Sequence, residues 1–558
     1  MTRMRRRSLL LASALAPLAA CRLDAPDAAW RGGWIGADVA RGHRVRDTKS
    51  GEVPMPAVQR RCGVIVVGAG IAGLGAARTL TQAGIDDVHL FDLEAVAGGN
   101  SRGHQIAGIA CPLGAHYLPL PGPDALEVVE LLDELGLRRS ESGRPVYDER
   151  NLCHSPQERL WIEGRWHDGL LPPVDALPAA QRAVTQAEYR RFEAAVAQAA
   201  LGHGYTLPTA RAVWTPAHAA LDRVTFAQWL DAERYAAPAL RWYLDYCCRD
   251  DYGAGAAQVS AWAGLHYFAS RHGFHAPGDG AAEHDDVLTW PEGNAWLSRR
   301  LAVPLGARLH PSMVALRIGE NRHDASVDFW NAVEQKIERW TAAQVVLALP
   351  LFIASRLLAA PPAALVEASA AMRHAPWLVA NLHLDRALDD RPGAAPSWDN
   401  VVYRSPTLGY VDATHQSLLP YAGATVLTAY WALGGDSAAE LAVQRLRLLD
   451  APWSAWADAV VQDLAVAHPD LAAKLQRVDL MRYGHAMSIP LPGVRGSAAL
   501  LALAGAQPRV QFGHADLSGY SVFEEALYQG ARAGRAALDA LRSRSARSTS
   551  RTRPGTSS

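Results

Sequence analysis

A glycine-rich turn near the start of the chain places the strongest constraint on its fold. A short β-branched run, Gly63–Val67, leads directly into the segment GAGIAG at residues 68–73. Such a run is typical of a strand buried on both faces. Leu74–Ala83 has the pattern of a helix, and Asp87–Phe91 has that of a second strand followed by Asp92. This order of elements predicts an α/β fold whose first turn binds a dinucleotide.

Each of the key residues in and after this turn has a physical role in such a fold. Gly68 permits the tight turn, Gly70 lets the backbone approach a pyrophosphate, and Gly73 lets the helix pack close to the strand. Ala72 lies in the first helical turn, whose free N–H groups and positive dipole end favour an anion. Asp92 is placed to accept hydrogen bonds from a ribose diol. These five residues are the first predicted cofactor contacts.

The next segment separates FAD from NAD. Residues 92–102, DLEAVAGGNSR, resemble the acid-x5-Gly-Gly-Arg segment of the FAD-dependent amine oxidase superfamily, which includes monoamine and polyamine oxidases and has protoporphyrinogen oxidases and phytoene desaturases among its relatives. The resemblance implies FAD and implies that Gly98 and Gly99 cross close to its pyrophosphate. Asn100 stands where the family has arginine, so Arg102 is expected to substitute. Glu94 is a rival to Asp92 as the ribose acid.

Three further segments extend the resemblance through the middle of the chain. Residues 111–116, CPLGAH, resemble the family's turn beside the flavin ring, which implies contacts from Gly114 and Ala115. Residues 290–297, WPEGNAWL, resemble a family helix start, with Asn294 in place of a second glycine. Leu309–Leu316 resembles a strand whose backbone, near Val314, meets the adenine, and VVLALP at 345–350 matches a family crossing between domains.

The C-terminal part resembles the segment that closes over the cofactor. Residues 510–516, VQFGHAD, are expected to form a strand that ends in Gly513 and an acid, and Phe523–Leu541 a helix. The resemblance implies that this helix aims its N-terminus at the pyrimidine end of the flavin, where its dipole stabilises negative charge on the reduced ring. Asp516 is the candidate for a contact with the ribityl chain or near the phosphates. Val522 is expected to offer its backbone N–H to the cofactor.

These matches predict a Rossmann-like FAD-binding domain interleaved with an α+β substrate domain. The predicted parts are a signal peptide (1–20), a tether or N-terminal segment (21–61), the FAD-binding domain (62–123, 290–350 and 480–541), the substrate domain (124–289 and 351–479) and a disordered tail (542–558). Within the substrate domain, Trp377–Leu384, Asn400–Tyr403 and Thr425–Leu433 have strand-like patterns.

The first 21 residues have the pattern of an export signal. Arginines precede Ser8–Ala20, an apolar run too short to span a membrane as a helix. Arg6-Arg7 resembles a twin-arginine signal, and small residues before Cys21 resemble a bacterial lipobox. We therefore expect export to the periplasmic face of the cell envelope, with a lipid on Cys21 as the membrane anchor. Of the remaining cysteines, Cys247 and Cys248 are expected to be two buried thiols rather than a vicinal disulfide.

The sequence also provides several candidates for the catalytic residues. Candidates are His485 as an acid or base, Tyr483 as a wall beside the flavin, His116 near the ring, and Tyr520 just before the closing helix. Asp250 and Asp251 would hold a cationic amine, although such a pair is also typical of a helix cap or surface turn. The family's oxidases commonly carry a lysine on the strand that best matches residues 379–384, yet the chain has only three lysines, Lys49, Lys336 and Lys474, and none is there.

Together these features predict an FAD-dependent oxidoreductase that moves a hydride from a small-molecule amine or C–C substrate to flavin N5. The missing lysine favours a quinone-like acceptor, with O2 as the other possibility. The alternatives are an isoprenoid or lipid desaturase and a non-catalytic FAD-binding partner protein; an NAD-dependent dehydrogenase is disfavoured by the C-terminal segment. A net charge of −1 gives no reason to expect nucleic acid. No HExxH or GxSxG motif is present, so neither a metal role nor a serine hydrolase is expected.

Overall fold

A computed structural model describes residues 30–277, 286–418, 423–505 and 507–551 of the chain. The predicted signal peptide, the predicted lipid-bearing Cys21 and residues 552–558 of the predicted tail lie outside these ranges. Within these ranges, no helix is long and apolar enough to cross a membrane. No group of three or more His, Cys, Asp or Glu side chains among the same residues could hold a metal ion.

The strands of the described ranges are numbered in chain order. They are β1 (Arg31–Ile35), β2 (Val58–Val67), β3 (Val88–Phe91), β4 (Gly103–Ile106), β5 (Ile109–Pro112), β6 (Tyr117–Pro119), β7 (Arg138–Glu141), β8 (Arg144–Tyr147), β9 (Glu158–Ile162), β10 (Arg165–Asp168), β11 (Val287–Thr289), β12 (Leu309–His310), β13 (Met313–Glu320), β14 (Ala325–Asn331), β15 (Lys336–Leu347), β16 (His374–Leu384), β17 (Asp399–Val402), β18 (Tyr410–Asp412), β19 (Thr425–Ala432), β20 (Leu475–Ser488) and β21 (Val510–Phe512).

The α-helices of the same ranges are numbered in the same way. They are α1 (Val39–Asp47), α2 (Ile71–Gln82), α3 (Leu126–Glu134), α4 (Ala179–Ala200), α5 (Pro216–Leu221), α6 (Phe226–Ala232), α7 (Pro238–Tyr252), α8 (Ala261–Tyr267), α9 (Ala295–Ala302), α10 (Leu351–Leu357), α11 (Ala363–Ala371), α12 (Ala438–Asp450), α13 (Trp453–Leu464), α14 (Leu471–Lys474), α15 (Ala498–Ala504) and α16 (Phe523–Arg551).

A seven-stranded sheet forms the predicted dinucleotide-binding domain. Its strands follow the order β12-β3-β2-β15-β14-β13, and β21 pairs with β15. The pairs β2–β3, β2–β15 and β15–β21 are parallel, so these four strands end at one edge of the sheet. The residues that follow β3, β2, β15 and β21 are therefore brought side by side. This is the edge at which open α/β sheets bind their ligands.

The predicted single strand Leu309–Leu316 is divided into β12 and β13. Ser312 lies between them with φ of 60°, a left-handed conformation that interrupts strand geometry. β12 pairs with β3, whereas β13 joins an antiparallel meander with β14 and β15. Val314 pairs with Trp330 inside this meander and is fully buried.

An eight-stranded sheet forms the predicted substrate domain, in the order β1-β20-β16-β19-β18-β17-β9-β10. The three runs predicted as strands in this domain correspond to β16, β17 and β19. The central pairing of β16 with β20 runs from His374 opposite Ser488 to Leu384 opposite Leu475. Helices α4, α7 and α8 pack against this sheet through a large aromatic core.

Three predicted segment boundaries differ in the structure. β20 belongs to the eight-stranded sheet, so the boundary predicted at residue 480 falls inside a strand of the substrate domain. The predicted tether contains β1 and α1, because β1 finds an edge strand to pair with in β20. α16 continues past its predicted end at Leu541 to Arg551. Arg544 docks this extension by donating to the His323 carbonyl oxygen at 2.7 Å.

The adjacent thiols of Cys247 and Cys248 are buried and free, as predicted. Both lie on α7, where they pack in the aromatic core of the substrate domain. Cys62, Cys111 and Cys153 are also free thiols. The described part of the chain therefore depends on packing and hydrogen bonds rather than on cross-links.

Helices α2 and α16 cross at a distance that only glycine permits. A Cβ atom added to Gly530 on α16 would lie 1.9 Å from the carbonyl oxygen of Ala72 on α2. Gly534, one turn later, faces the Ala76 carbonyl oxygen in the same way, at 2.9 Å. This contact holds the C-terminal helix against the helix that follows the glycine-rich turn.

Replacing Gly530 with alanine should therefore destabilise the protein by about 1–3 kcal/mol, because the two helices must separate to admit the methyl group. Helix propensity alone would make the alanine variant more stable by up to about 1 kcal/mol. The sign of the measured change in unfolding free energy therefore distinguishes the two effects. Urea unfolding measures the free energy. Gly42→Ala on α1, where an added Cβ meets nothing within 4 Å, is the matched control and should be neutral or stabilising. Equal stabilisation by both changes would contradict the tight crossing.

Candidate active site

A cavity of about 500 Å³ lies at the edge where the parallel strands end and extends to the eight-stranded sheet. Most of the predicted cofactor contacts line it. They are Gly68, Gly70, Ala72, Asp92, Gly98, Gly99, Asn100, Arg102, Gly114, Ala115 and Val522. Three of the four predicted catalytic residues, His116, Tyr483 and His485, line it as well. The cavity thus connects the glycine-rich turn with the strands of the substrate domain.

The glycine-rich turn and the Gly98-Gly99 segment form a cradle of bare backbone. Gly68 adopts φ of 100°, and an added Cβ there would lie 2.4 Å from the Ala348 carbonyl oxygen. The Gly98 N–H donates to the Ala69 carbonyl oxygen at 2.7 Å, which brings the second loop against the first. Gly99 approaches so closely that its added Cβ would lie 3.1 Å from the Gly70 Cα. The N-terminus of α2 opens into this cradle, as an anionic pyrophosphate requires.

Two acids stand at the end of β3, where a ribose is expected. Asp92 accepts from the backbone N–H groups of Ala69 at 2.7 Å and of Glu94 at 2.8 Å. Burial raises the pKa of Asp92, and these two N–H donors oppose the shift. Glu94 also lines the cavity, and its carboxylate accepts from the Asp38 N–H at 3.1 Å. Both acids are therefore in place for a ribose diol, and Asp92 additionally shapes the turn itself.

An unpartnered acceptor supports the fit of a ligand in this cavity. Asn294 is 1% exposed and lines the cavity wall. Its amide nitrogen donates to the Tyr117 carbonyl oxygen at 2.8 Å, but its oxygen has no hydrogen-bond partner among the described residues. A buried acceptor without a partner is costly. A bound ligand with N–H or O–H donors, such as FAD, would supply the missing hydrogen bond.

Five predicted site residues do not line the cavity: Gly73, Val314, Gly513, Asp516 and Tyr520. Gly73 acts through packing as predicted, because its added Cβ would lie 1.8 Å from the Gly68 carbonyl oxygen. Gly513 likewise packs on α16, next to Ala533. Val314 is enclosed in the β13–β15 meander, so the structure gives no support to the expected adenine contact from this residue.

Asp516 lies behind the cavity wall rather than in it. Its fully buried carboxylate accepts from the Leu351 N–H at 2.9 Å and lies 3.1 Å from His374 Nε2. Burial alone would raise its pKa, but the His374 and His514 rings hold the pKa of Asp516 well below its usual range. These two histidines line the cavity in its place. The structure therefore gives no support to the expected direct contact of Asp516 with the cofactor.

Tyr520, the candidate catalytic residue just before α16, does not line the cavity. Its ring lies 5.6 Å from the centroids of both Tyr252 and His266, and its hydroxyl lies 3.5 Å from Glu525. Only 1% of the residue is exposed, and none of it forms the cavity wall. The tyrosine just before α16 therefore packs inward, away from the cavity.

Aromatic side chains surround the inner part of the cavity. Tyr483 donates its hydroxyl to the Leu113 carbonyl oxygen at 2.7 Å, and Tyr430 donates to the Gly114 carbonyl oxygen at 3.0 Å. The His116 ring stacks on Tyr430 with 4.4 Å between centroids. Both phenols are therefore directed at backbone carbonyls, which fixes the orientation of the two rings in the cavity wall.

Both histidines predicted near the reaction are neutral. Burial lowers the pKa of His116 to about 3. Burial, together with the charge of Arg445 and the neighbouring His374, lowers the pKa of His485 to about 3. The His485 ring also lies 4.8 Å from that of Phe352. Each imidazole can accept a proton only weakly, so neither is a strong base at neutral pH.

An acidic group forms the far end of the cavity. Asp250 and Asp251, at the end of α7, both line the wall together with Arg271. Asp251 is 3.0 Å from Arg271, whose guanidinium also lies 3.5 Å from Glu524. Among the described residues, the Asp250 carboxylate has no hydrogen-bond or ion-pair partner. Burial raises its pKa to about 7, and the nearby Asp251 adds to the shift.

Several lining residues were not picked out by their sequence. Tyr430 and Trp377 come from strands whose existence was predicted, but the side of each strand that faces the cavity was not. Arg271 lies in a short π-helical turn, residues 268–272, which has no sequence signature. The predicted absence of lysine holds for the described wall, which contains none. Lys474, for example, is ion-paired with Asp389 at 2.6 Å.

The raised pKa of Asp250 predicts a pH-dependent stability. A carboxyl group with a folded pKa near 7 and an ordinary unfolded pKa loses native stability as pH rises between these values. Asp250→Asn should therefore raise the unfolding temperature at pH 8 and leave it nearly unchanged at pH 4. Asp251→Asn removes one of the two carboxylate partners of Arg271 and should therefore lower the unfolding temperature at pH 8. Thermal unfolding of both variants checks the contrast, and a loss of stability in Asp250→Asn at pH 8 would contradict it.

Comparisons with known proteins agree with this geometry. The family model "Flavin containing amine oxidoreductase" matches residues 71–538. A protein of Mycobacterium tuberculosis named as a flavin-containing monoamine oxidase, AofH, is 28% identical over 268 residues, which cover 47% of this chain and 52% of that protein. Putrescine oxidase of Kocuria rosea is 39% identical over 87 residues, 15% of this chain and 17% of that protein. The chain thus spans about half the length of the first of these relatives.

Solved structures share the fold. A putrescine oxidase variant superimposes with a TM-score of 0.61 at 17% identity, covering 86% of this chain and 100% of that chain. Cyclohexylamine oxidase from Brevibacterium oxydans also gives 0.61, at 20% identity, covering 86% of this chain and 99% of that chain. A fatty acid isomerase from P. acnes gives 0.55 at 15% identity, covering 84% and 97%. With the family match over most of its length, the chain belongs to the flavin containing amine oxidoreductase family, whose members are FAD-dependent oxidoreductases, and its cofactor is FAD.

Proposed function

We propose that this protein oxidises an amine. The substrate binds as an ammonium and loses one N–H proton to solvent; a hydride then passes from the carbon next to the nitrogen to flavin N5 while the nitrogen lone pair forms the C=N bond of the iminium product. The observation that carries the proposal is the Asp250 carboxylate, which lines the cavity without a partner among the described residues. A substrate ammonium would supply the counter-charge that Asp250 lacks. The aligned part of AofH, named as a monoamine oxidase, agrees with this substrate class.

The charge balance at the far end of the cavity supports a cation rather than an anion. Among the described residues of this region, Arg271 is ion-paired with Asp251 and lies 3.5 Å from Glu524, and these two carboxylates neutralise its charge. Asp250 therefore adds a carboxyl group that has no ion-pair partner among the described residues and whose pKa burial and Asp251 raise to about 7. A cation bound beside it would favour its ionised form. A cation is attracted strongly where the surroundings are poorly solvated.

Aromatic walls give the cavity its second function, which is to exclude water and orient the reacting carbon. Tyr430, Tyr483 and Trp377 present apolar surfaces, and the first two are fixed by hydrogen bonds from their hydroxyls. A dry, rigid wall favours hydride transfer by holding the donor C–H close to its acceptor. When bound, FAD supplies the two-electron acceptor chemistry. Neutral His116 and His485 add no cationic charge that would repel a substrate ammonium.

The second half of the reaction passes electrons from the reduced flavin to an acceptor. We propose O2 or a quinone-like carrier, and the absence of lysine from the described cavity wall supports the second. The lysine that the family's oxidases commonly use beside the flavin has no counterpart on β16, where Trp377 and Val379 line the cavity instead. Rates of flavin reoxidation by air and by a soluble quinone would decide between the two acceptors.

Anaerobic mixing with substrates tests the proposed reaction. We expect the flavin absorbance near 450 nm to bleach with a primary amine from a panel of mono- and diamines. Bleaching with polyprenes or unsaturated lipids, and with none of the amines, would select a desaturase instead. A flavin that dithionite reduces but no organic compound in either panel reduces would overturn the enzymatic proposal and favour a binding-only protein.

Substitution of Asp250 should separate substrate binding from chemistry. Asp250→Asn should raise KM for the amine by about tenfold or more, since a charge-assisted contact is lost, and should change kcat less. In the unmodified protein, KM should rise as pH falls below about 7, where Asp250 becomes protonated. This rise should be absent from Asp250→Asn. Asp231→Asn, on the exposed end of α6, is the control and should leave both constants unchanged. An unaltered KM in Asp250→Asn would contradict the ammonium contact.

We further propose that the protein is exported and anchored to the periplasmic face of the envelope through a lipid on Cys21. The support is the lipobox-like sequence before Cys21 and the twin-arginine-like Arg6-Arg7. Cys21→Ser should move the protein from the membrane fraction to the soluble fraction, with the FAD spectrum unchanged. Retention of the variant in membranes would contradict the lipid anchor.

A further inference from the structure

The segment Arg31–Asp47, here called the N-terminal clasp, joins the two sheets of the molecule. Its first part, β1, runs parallel to β20, from Arg31 opposite Arg477 to Ile35 opposite Met481. Its last part, α1, packs on the other domain, where Val45 shares a core with β13 residues. The clasp therefore spans from the substrate domain to the FAD-binding domain within 17 residues.

The link between β1 and α1 passes directly beside the cavity, and Ala37 forms part of its wall. Three hydrogen bonds hold the clasp at this point. Arg102 donates from Nη1 to the Gly36 carbonyl oxygen at 3.0 Å. The Asp38 N–H donates to Glu94 Oε1 at 3.1 Å, and Arg41 donates to the Leu93 carbonyl oxygen at 2.9 Å.

The partners of the clasp belong to the adenosine end of the cofactor site. Leu93 and Glu94 follow Asp92 at the end of β3, the position where a doubly wound fold binds the ribose of a dinucleotide. Arg102 follows the Gly98-Gly99 cradle and lines the same cavity. The family match begins at residue 71, so the clasp lies outside the part of the chain that the family shares.

We propose that the N-terminal clasp is an additional part of the cofactor site that covers the adenosine end of a bound FAD. Its backbone at Gly36–Asp38 closes the wall there, and its two halves are held by different domains. FAD then leaves the protein only when the link detaches from Leu93, Glu94 and Arg102. The clasp thus retains the cofactor and ties the two domains together around it.

The rate of FAD release tests this inference independently of any substrate. Arg41→Ala removes the hydrogen bond to Leu93 and the 3.0 Å ion pair with Asp38. Release of FAD into excess apo-D-amino-acid oxidase, followed as the oxidase activity that appears when this acceptor takes up FAD, should be about tenfold faster than in the unmodified holoenzyme. Arg46→Ala is the matched control, because Arg46 lies on the same helix but its exposed side chain pairs with the neighbouring Asp47, outside the cavity wall. It should leave the release rate unchanged.

An unchanged release rate in Arg41→Ala, or an equal acceleration in Arg46→Ala, would overturn the inference. Hydrogen exchange on the unmodified protein provides a second measurement that does not depend on how a variant folds. Amides of residues 31–47 should exchange more slowly with FAD bound than in the apoprotein. Equal exchange in the two forms would show that the clasp does not close over the cofactor.

Discussion

Close backbone-to-backbone packing around the glycine-rich turn is the constraint on which the rest of the structure depends. Gly73 lets α2 approach the turn, and Gly530 lets α16 approach α2, each at a separation that excludes a Cβ atom. With both helices in these places, the N-terminus of α2 and the first residues of α16 open into one cavity. The same closeness aligns the ends of four parallel strands, which supply the residues that surround the cofactor.

The cavity has a graded electrostatic character from one end to the other. At the cradle, bare backbone N–H groups and a helix N-terminus favour the anionic pyrophosphate. In the middle, aromatic rings and neutral histidines give a low-polarity wall. At the far end, Asp250 adds a carboxyl group without an ion-pair partner among the described residues, beside Arg271, which is paired with Asp251; this carboxyl group is ionised above its pKa of about 7. This arrangement suits a flavin with an amine beyond it, because each part of the cavity complements one part of that pair.

Much of the cofactor site could be predicted from the sequence because its residues lie in short, continuous segments. Gly68, Gly70, Gly98 and Gly99 owe their roles to local backbone geometry, so their spacing is informative by itself. Asp516 and Tyr520 are different, since the side chain that follows a strand or precedes a helix can point either way. The Asp516 carboxylate lies against two histidines, His374 on β16 and His514 in the turn after β21. His374 is 142 positions away in the chain, so this contact depends on the tertiary structure.

The sequence by itself identified the family and the FAD cofactor and predicted two interleaved domains, because the motifs that carry the family resemblance are short segments of local backbone geometry. Tertiary structure decided which side chains reach the cavity: it brought Asp250 and Tyr430 in, turned Tyr520 away, and placed the N-terminal clasp against Leu93 and Glu94. These outcomes depend on packing between elements far apart in the chain. The free energy of burying a side chain is set by its neighbours in space, which sequence periodicity does not report.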